Sequence, residues 1–171
     1  MLMFRSTILI QYAIILAISF VSGVVCFQIF SLDKSIQLIE LIDARVIDPS
    51  NVSIWQTILP LAISIILVLL LATHPYIALF AQFIVAIRAT FFGFSSVFLL
   101  TQQESMTVYS LWWFPFQLVY CILLLILCSV YTIRKVGGTR KHFFQKKLFV
   151  SLLVIFAIIC TFEIIVISYI F

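Results

Sequence analysis

Five apolar stretches, each long enough to cross a bilayer, fill most of this 171-residue chain. They run from Ile8 to Phe30, Trp55 to Thr73, Tyr76 to Leu100, Tyr109 to Ile133 and Leu148 to Phe171. A helix rises ~1.5 Å per residue, so ~20 residues cross a ~30 Å hydrocarbon core. Lipid offers backbone N–H and C=O groups no partners, so each run must satisfy itself as a helix. A β-barrel would need short strands alternating in polarity, and no run alternates. With a mean hydropathy of +1.30 and 9% charged residues, too little polar surface exists to cover a water-soluble domain. The expectation is an all-α, polytopic membrane helix bundle forming a single integral membrane domain over residues 1–171.

Orientation follows from the basic residues. The fourth connection, 134–147, holds Arg134, Lys135, Arg140, Lys141, Lys146 and Lys147, six of the ten Lys and Arg. Short loops rich in Lys and Arg stay cytoplasmic, so the N-terminus is predicted inside and the C-terminus outside. Asp33, Glu40, Asp43, Asp48 and Glu104 then fall in the two outer loops. Trp55, Trp112 and Trp113 fall at predicted outer ends, where amphipathic indoles favour the headgroup level. The first span exceeds a signal-peptide core and no small-x-small cleavage pattern follows, which predicts a retained anchor.

Outside the bilayer, residues 31–53 form the one sizeable outer segment. Ile36, Leu38, Ile39, Leu41, Ile42, Val46 and Ile47 interleave with Gln37, Glu40, Asp43 and Asp48 at helical steps. That predicts an amphipathic helix with a narrow polar face, stopped by Pro49. It would lie in the outer interface over its own bundle or form a docking edge for a partner. Asn51-Val52-Ser53 fits a glycosylation acceptor, meaningful only in a secretory eukaryotic setting. The basic loop, broken by Gly137-Gly138, reads as positive-inside topology, with its Lys and Arg as candidate cytoplasmic contacts. Nothing in it resembles a nucleic-acid platform, so no nucleic-acid partner is expected.

Catalysis finds little material. Cys26, Cys121, Cys128 and Cys160 all fall within spans, without a C-x-x-C pair, and Cys121 and Cys128 share a helix face as ordinary packing residues. His74 and His142 lie in or beside cytoplasmic connections, with no Cys close in sequence or depth. No metal-ligand cluster, phosphate loop or carboxylate pair can be assembled, so neither enzyme activity nor a cofactor is expected.

Two ionisable residues fall inside predicted spans, Arg88 and Glu163. A charge there costs ~2.5–3.5 kcal/mol on insertion scales, so each needs a partner. Arg88 lies ~18 Å and Glu163 ~22 Å in from the cytoplasmic ends of their spans, which permits a direct pair. A rival geometry breaks the third run near Arg88, leaving His74-Pro75 to start a short re-entrant helix. Gly93, with Phe94, Ser95 and Ser96, offers a close helix approach of the kind that drives packing in lipid. Pro115 is expected to kink or start the fourth span and free a backbone acceptor that Gln117 could serve.

At these residues the chain resembles the stage II sporulation protein M family of bacterial membrane proteins. The features are a first span and outer segment, then two apolar runs split at His74-Pro75. Arg88 precedes Gly93-Phe94, Pro115 with Gln117 opens the fourth span, and Glu163 sits in the last. The match covers roughly Trp55 to the C-terminus. It departs from the family in Phe116, which separates the Pro from its polar residue, in a third span with a single Gly, and in a short outer segment. The resemblance implies a non-catalytic multispan subunit of an envelope complex in the bacterial cell membrane. In circular-bacteriocin clusters such proteins accompany an ABC exporter (ATPase and permease) in maturation, secretion or immunity. In spore formers they hold cell-wall hydrolases together during engulfment. The short outer segment favours the first setting. A small transporter, built as a homo-oligomer with Arg88 and Glu163 in its path, is the third reading, disfavoured by five spans without an inverted repeat.

Overall fold

The computed structural model describes residues 2–48, 54–73, 78–102, 106–132 and 142–170. Every regular element among them is helical, so the chain is an all-α bundle. The elements are α1 (Leu2–Ile29), α2 (Leu32–Asp43) with a 3₁₀ turn (Ala44–Val46), α3 (Ile54–Thr73) and α4 (Ala78–Thr101). There follow α5 (Met106–Val108), a π-helical turn (Tyr109–Trp113), α6 (Phe114–Thr132) and α7 (His142–Ile170). Four stretches are long and apolar enough to cross a membrane: Ile10–Ile29, Phe80–Thr101, Met106–Cys128 and Phe149–Tyr169. In α3 the apolar stretch among the described residues is shorter, Ile58–Leu71. The protein is therefore a membrane protein by the length and composition of its helices.

α4 occupies the centre, with α1, α3 and α6 packed around it, and α7 lies against α6. Ring contacts give the directions. Phe20 meets Phe92 and Phe27 meets Phe98, so α1 and α4 run the same way. Phe91 meets Trp113 and Arg88 meets Gln117, so the chain entering α6 runs back along α4. Phe116 on Phe162 and Tyr120 on Phe156 set α7 antiparallel to α6.

Glycine sets the α1–α4 approach. A Cβ at Gly23 would overlap the Thr90 carbonyl, and one at Gly93 would overlap the Phe20 carbonyl. Each helix thus contributes one glycine to a backbone-on-backbone crossing, the packing device that replaces the hydrophobic effect in lipid. Gly93 was visible from the sequence as a packing residue, and Gly23 is its counterpart.

Three expectations need correction. α4 is continuous through Arg88, so the third run is not broken there. The helical stretch through Pro115 runs from Met106 to Cys128 across α5, the π turn and α6, so the proline does not open the span. Pro115 lacks the N–H that would reach the Leu111 carbonyl. The turn before it is wound as π-helix, with the Phe114 N–H donating to the Tyr109 carbonyl, and so absorbs the defect without a break. Trp112 and Trp113 do not turn their indoles out to the lipid or solvent as headgroup anchors would. Both are fully buried, one facing α7 and the other α4, whereas Trp55 is exposed.

The basic connection is also shorter than expected, because α7 already begins at His142. Arg134, Lys135, Arg140 and Lys141 lie outside the described residues, as do His74-Pro75 and the Asn51-Val52-Ser53 acceptor. Lys146 and Lys147 fall on the first turns of α7.

Candidate functional site

The outer segment does not simply rest on the bundle. α2 ends at Asp43, well before Pro49, and the following 3₁₀ turn carries Arg45 into the interior. The buried stripe of α2 is Ser35, Ile39 and Asp43, spaced one turn apart, while Leu41 is 82% exposed. The expected polar face is therefore inverted at its end: Asp43 is buried and Leu41 faces out. In water that would be a costly exchange. Beside a bilayer the outward apolar residue costs little, and the inward carboxylate has found a cation.

Asp43, Arg45 and Glu163 form one buried cluster. Arg45 binds Asp43 through two parallel hydrogen bonds, Nε to Oδ1 and Nη2 to Oδ2, each 2.6 Å. Its Nη1 donates to Glu163 Oε1 at 2.9 Å. The Trp112 indole donates to the same Glu163 oxygen at 3.1 Å, and the Tyr120 hydroxyl donates to Oε2 at 2.6 Å. Arg45 and Glu163 are each 1% exposed. Both carboxylates thus have every oxygen occupied, and the planar guanidinium is used as a fork, the geometry in which Arg exceeds Lys. Burial alone would favour a neutral Arg45, but the Asp43 and Glu163 carboxylates outweigh it and push its pKa above the ordinary value.

Each partner comes from a different element: Asp43 from the end of α2, Arg45 from the 3₁₀ turn, Trp112 from the π turn, Tyr120 from α6 and Glu163 from α7. Taking three charges out of water costs several kcal/mol per ion, offset only when geometry and hydrogen bonding are complete. Here they are complete, so the cluster works less as a source of stability than as a register device. It admits one position of the outer segment relative to α6 and α7.

Arg88 takes no direct part, which corrects the Arg88–Glu163 pair allowed by depth. It is buried (6% exposed) one layer away, and its Nη2 donates to Gln117 Oε1 at 3.1 Å. Gln117 accordingly serves Arg88, not a carbonyl freed by Pro115. Arg88 lies within the field of Asp43 and Glu163 without touching either. Across both layers, among the described residues, two buried guanidinium groups stand against two buried carboxylates. Phe94, the other packing candidate, closes on Phe27 and Phe30 of the α1 side.

Sequence reasoning put Asp43 on the narrow polar face of the outer amphipathic helix and did not single out Arg45. One signal was available. Glu163 lies near the outer end of its span and needs a cation, and the outer segment carries two basic residues, Lys34 and Arg45. Only Arg45 is flanked by the apolar Val46 and Ile47 that would draw it inward.

No protein-family model, curated protein or solved structure matches the chain.

Proposed function

We propose that this protein is a non-catalytic accessory membrane subunit of a bacterial envelope complex, spanning the cell membrane five times. Its partner on this reading is an ABC-type exporter, the setting being bacteriocin maturation, secretion or immunity. One observation carries the non-catalytic part. The most elaborate polar site in the described residues spends all four carboxylate oxygens on internal partners, and so is built to hold elements together. The exporter setting rests on the family resemblance carried by Arg88, Gly93-Phe94, Pro115, Gln117 and Glu163. Locking the outer segment to α6 and α7 gives the protein a fixed outward face, with Asp33, Lys34, Gln37, Glu40 and Leu41 exposed along α2. A fixed face suits a subunit that is recognised by other proteins.

That same face supports the alternative partner class, outward-facing cell-wall hydrolases. Deleting residues 36–47 would remove Asp43 and Arg45 and unlock the bundle, so it cannot separate docking from folding. Substitutions confined to the exposed side, Lys34→Glu with Leu41→Glu, can. The deciding experiment is a mild-detergent purification of the tagged protein from its own host, with mass spectrometry of what accompanies it. An ABC ATPase or permease supports the proposal, and its absence from a stable, active preparation contradicts it. Hydrolases lost with the α2 surface substitutions would establish the scaffold reading. A lone homo-oligomer whose flux is abolished by Glu163→Gln would establish a transporter.

A further inference from the structure

The seam between α4 and α6 holds a set of buried polar atoms that the Arg45 cluster does not use. Arg88 Nε, Gln117 Nε2 and Trp113 Nε1 are all buried N–H donors without an acceptor, and the Ser95 hydroxyl is likewise unpartnered. They are neighbours. Arg88 and Gln117 are already joined by their 3.1 Å hydrogen bond. Trp113 precedes Gln117 by one helical turn, and its ring meets Phe91, which follows Arg88 by about one turn on α4. Ser95 continues the same face of α4 one turn further. Trp113 and Ser95 are completely buried, and Gln117 is 1% exposed.

Buried donors are almost always satisfied by protein, water or a bound ion. The chemistry here is one-sided, because three of the four orphans can only donate and the fourth can donate too. One of them belongs to a guanidinium whose charge has no carboxylate in contact. The neighbouring Asp43 and Glu163 carboxylates take their hydrogen bonds from Arg45, Trp112 and Tyr120 and none from Arg88. A water could accept two of these hydrogen bonds, but it would bring its own two donors into a place already rich in them. A small anion accepts from all sides and also offsets the Arg88 charge. The Asp43 and Glu163 carboxylates act against it through space, which keeps the affinity modest.

We propose that the α4–α6 seam is a binding site for a small monovalent anion, chloride in size, held by Arg88, Gln117 and Trp113 with Ser95 at its edge. The site is independent of the exporter reading and would serve as a halide-dependent brace between two central helices.

The test uses the full-length protein in detergent, at constant ionic strength, with chloride replaced stepwise by gluconate. Thermal unfolding and tryptophan emission are followed together. The expected result is a saturable rise in melting temperature and a saturable emission change with chloride. Trp113→Phe keeps the ring and removes one donor, and should weaken the chloride dependence several-fold while leaving the protein folded in gluconate. Gln117→Glu would place a carboxylate beside Arg88, and should raise the melting temperature in gluconate and abolish the chloride response. Identical chloride and gluconate curves for the unsubstituted protein would overturn the proposal and leave water as the occupant. A chloride response unchanged in both Trp113→Phe and Gln117→Glu would overturn the location.

Discussion

Arg45 and Glu163 are unequal partners, and the inequality is measurable. Replacing Glu163 by Gln leaves Asp43 and Arg45 as a balanced pair, while the new amide oxygen can still accept from Trp112 or Tyr120. The loss is that of hydrogen bonds to a charged group, about 1.5–3 kcal/mol. Replacing Arg45 by Gln instead leaves two carboxylates facing each other with no cation, and breaking a buried pair this way costs about 3–5 kcal/mol. Arg45→Gln should therefore melt well below Glu163→Gln in the same detergent. The reverse order would mean that Glu163, not Arg45, organises the site. At this scale the sequence was half legible. Glu163 and Arg88 announced themselves by being ionisable within apolar runs. Asp43 and Arg45 did not, because polarity in a loop is unremarked until the backbone turns inward, and a 3₁₀ turn over three residues has no periodicity to read.

Among the elements, the α1–α4 crossing is the contact most sensitive to a single methyl group. Gly93→Ala has nowhere to place its Cβ, because the obstruction is the Phe20 backbone and not a side chain that could rotate. Overpacking of this kind costs about 1–3 kcal/mol. Ser22→Ala on the neighbouring, exposed side of α1 should stay within about 0.5 kcal/mol, since Ser22 bonds only its own helix at Ile18. Thermal unfolding of the two variants side by side checks this. Similar losses at both positions would contradict the tight crossing. The helices themselves were readable from hydrophobic length, although α1 and α7 begin at Leu2 and His142, before the apolar runs that announced them. The π turn was not readable, since Pro115 signals a backbone defect without saying whether a helix starts, kinks or widens to meet it. Nor was the burial of Trp112 and Trp113, because aromatic residues near a span end suit the headgroup level and the core equally well.

For the whole molecule, α1 and α4 run the same way, α6 runs back and α7 reverses again, so a single topological fact orients everything. If the basic connection is cytoplasmic, a cysteine introduced at Lys34, exposed on α2, should react with a membrane-impermeant thiol reagent in intact cells. One introduced at Lys135 should react only after permeabilisation. The native cysteines all lie within helices assigned to the membrane, so they give little background. Labelling of Lys135→Cys from outside would reverse the orientation and with it the outward face offered to partners. What could not be read at this scale is how the outer segment joins the rest. An amphipathic pattern tells how a helix divides its surface, whereas the joint depends on a long-range pairing between Arg45 and Glu163, 118 residues apart.

That pairing is the centre of the account, and a double-mutant cycle tests it most directly. Arg45→Gln, Glu163→Gln and the double substitution would be compared by equilibrium unfolding in one detergent. The buried pair predicts strong non-additivity. Once Arg45 is gone, removing the Glu163 charge relieves a repulsion, so the double variant should be no less stable than Arg45→Gln alone. Losses that simply add, within about 0.5 kcal/mol, would mean the two residues do not interact and the outer segment is not locked to α7.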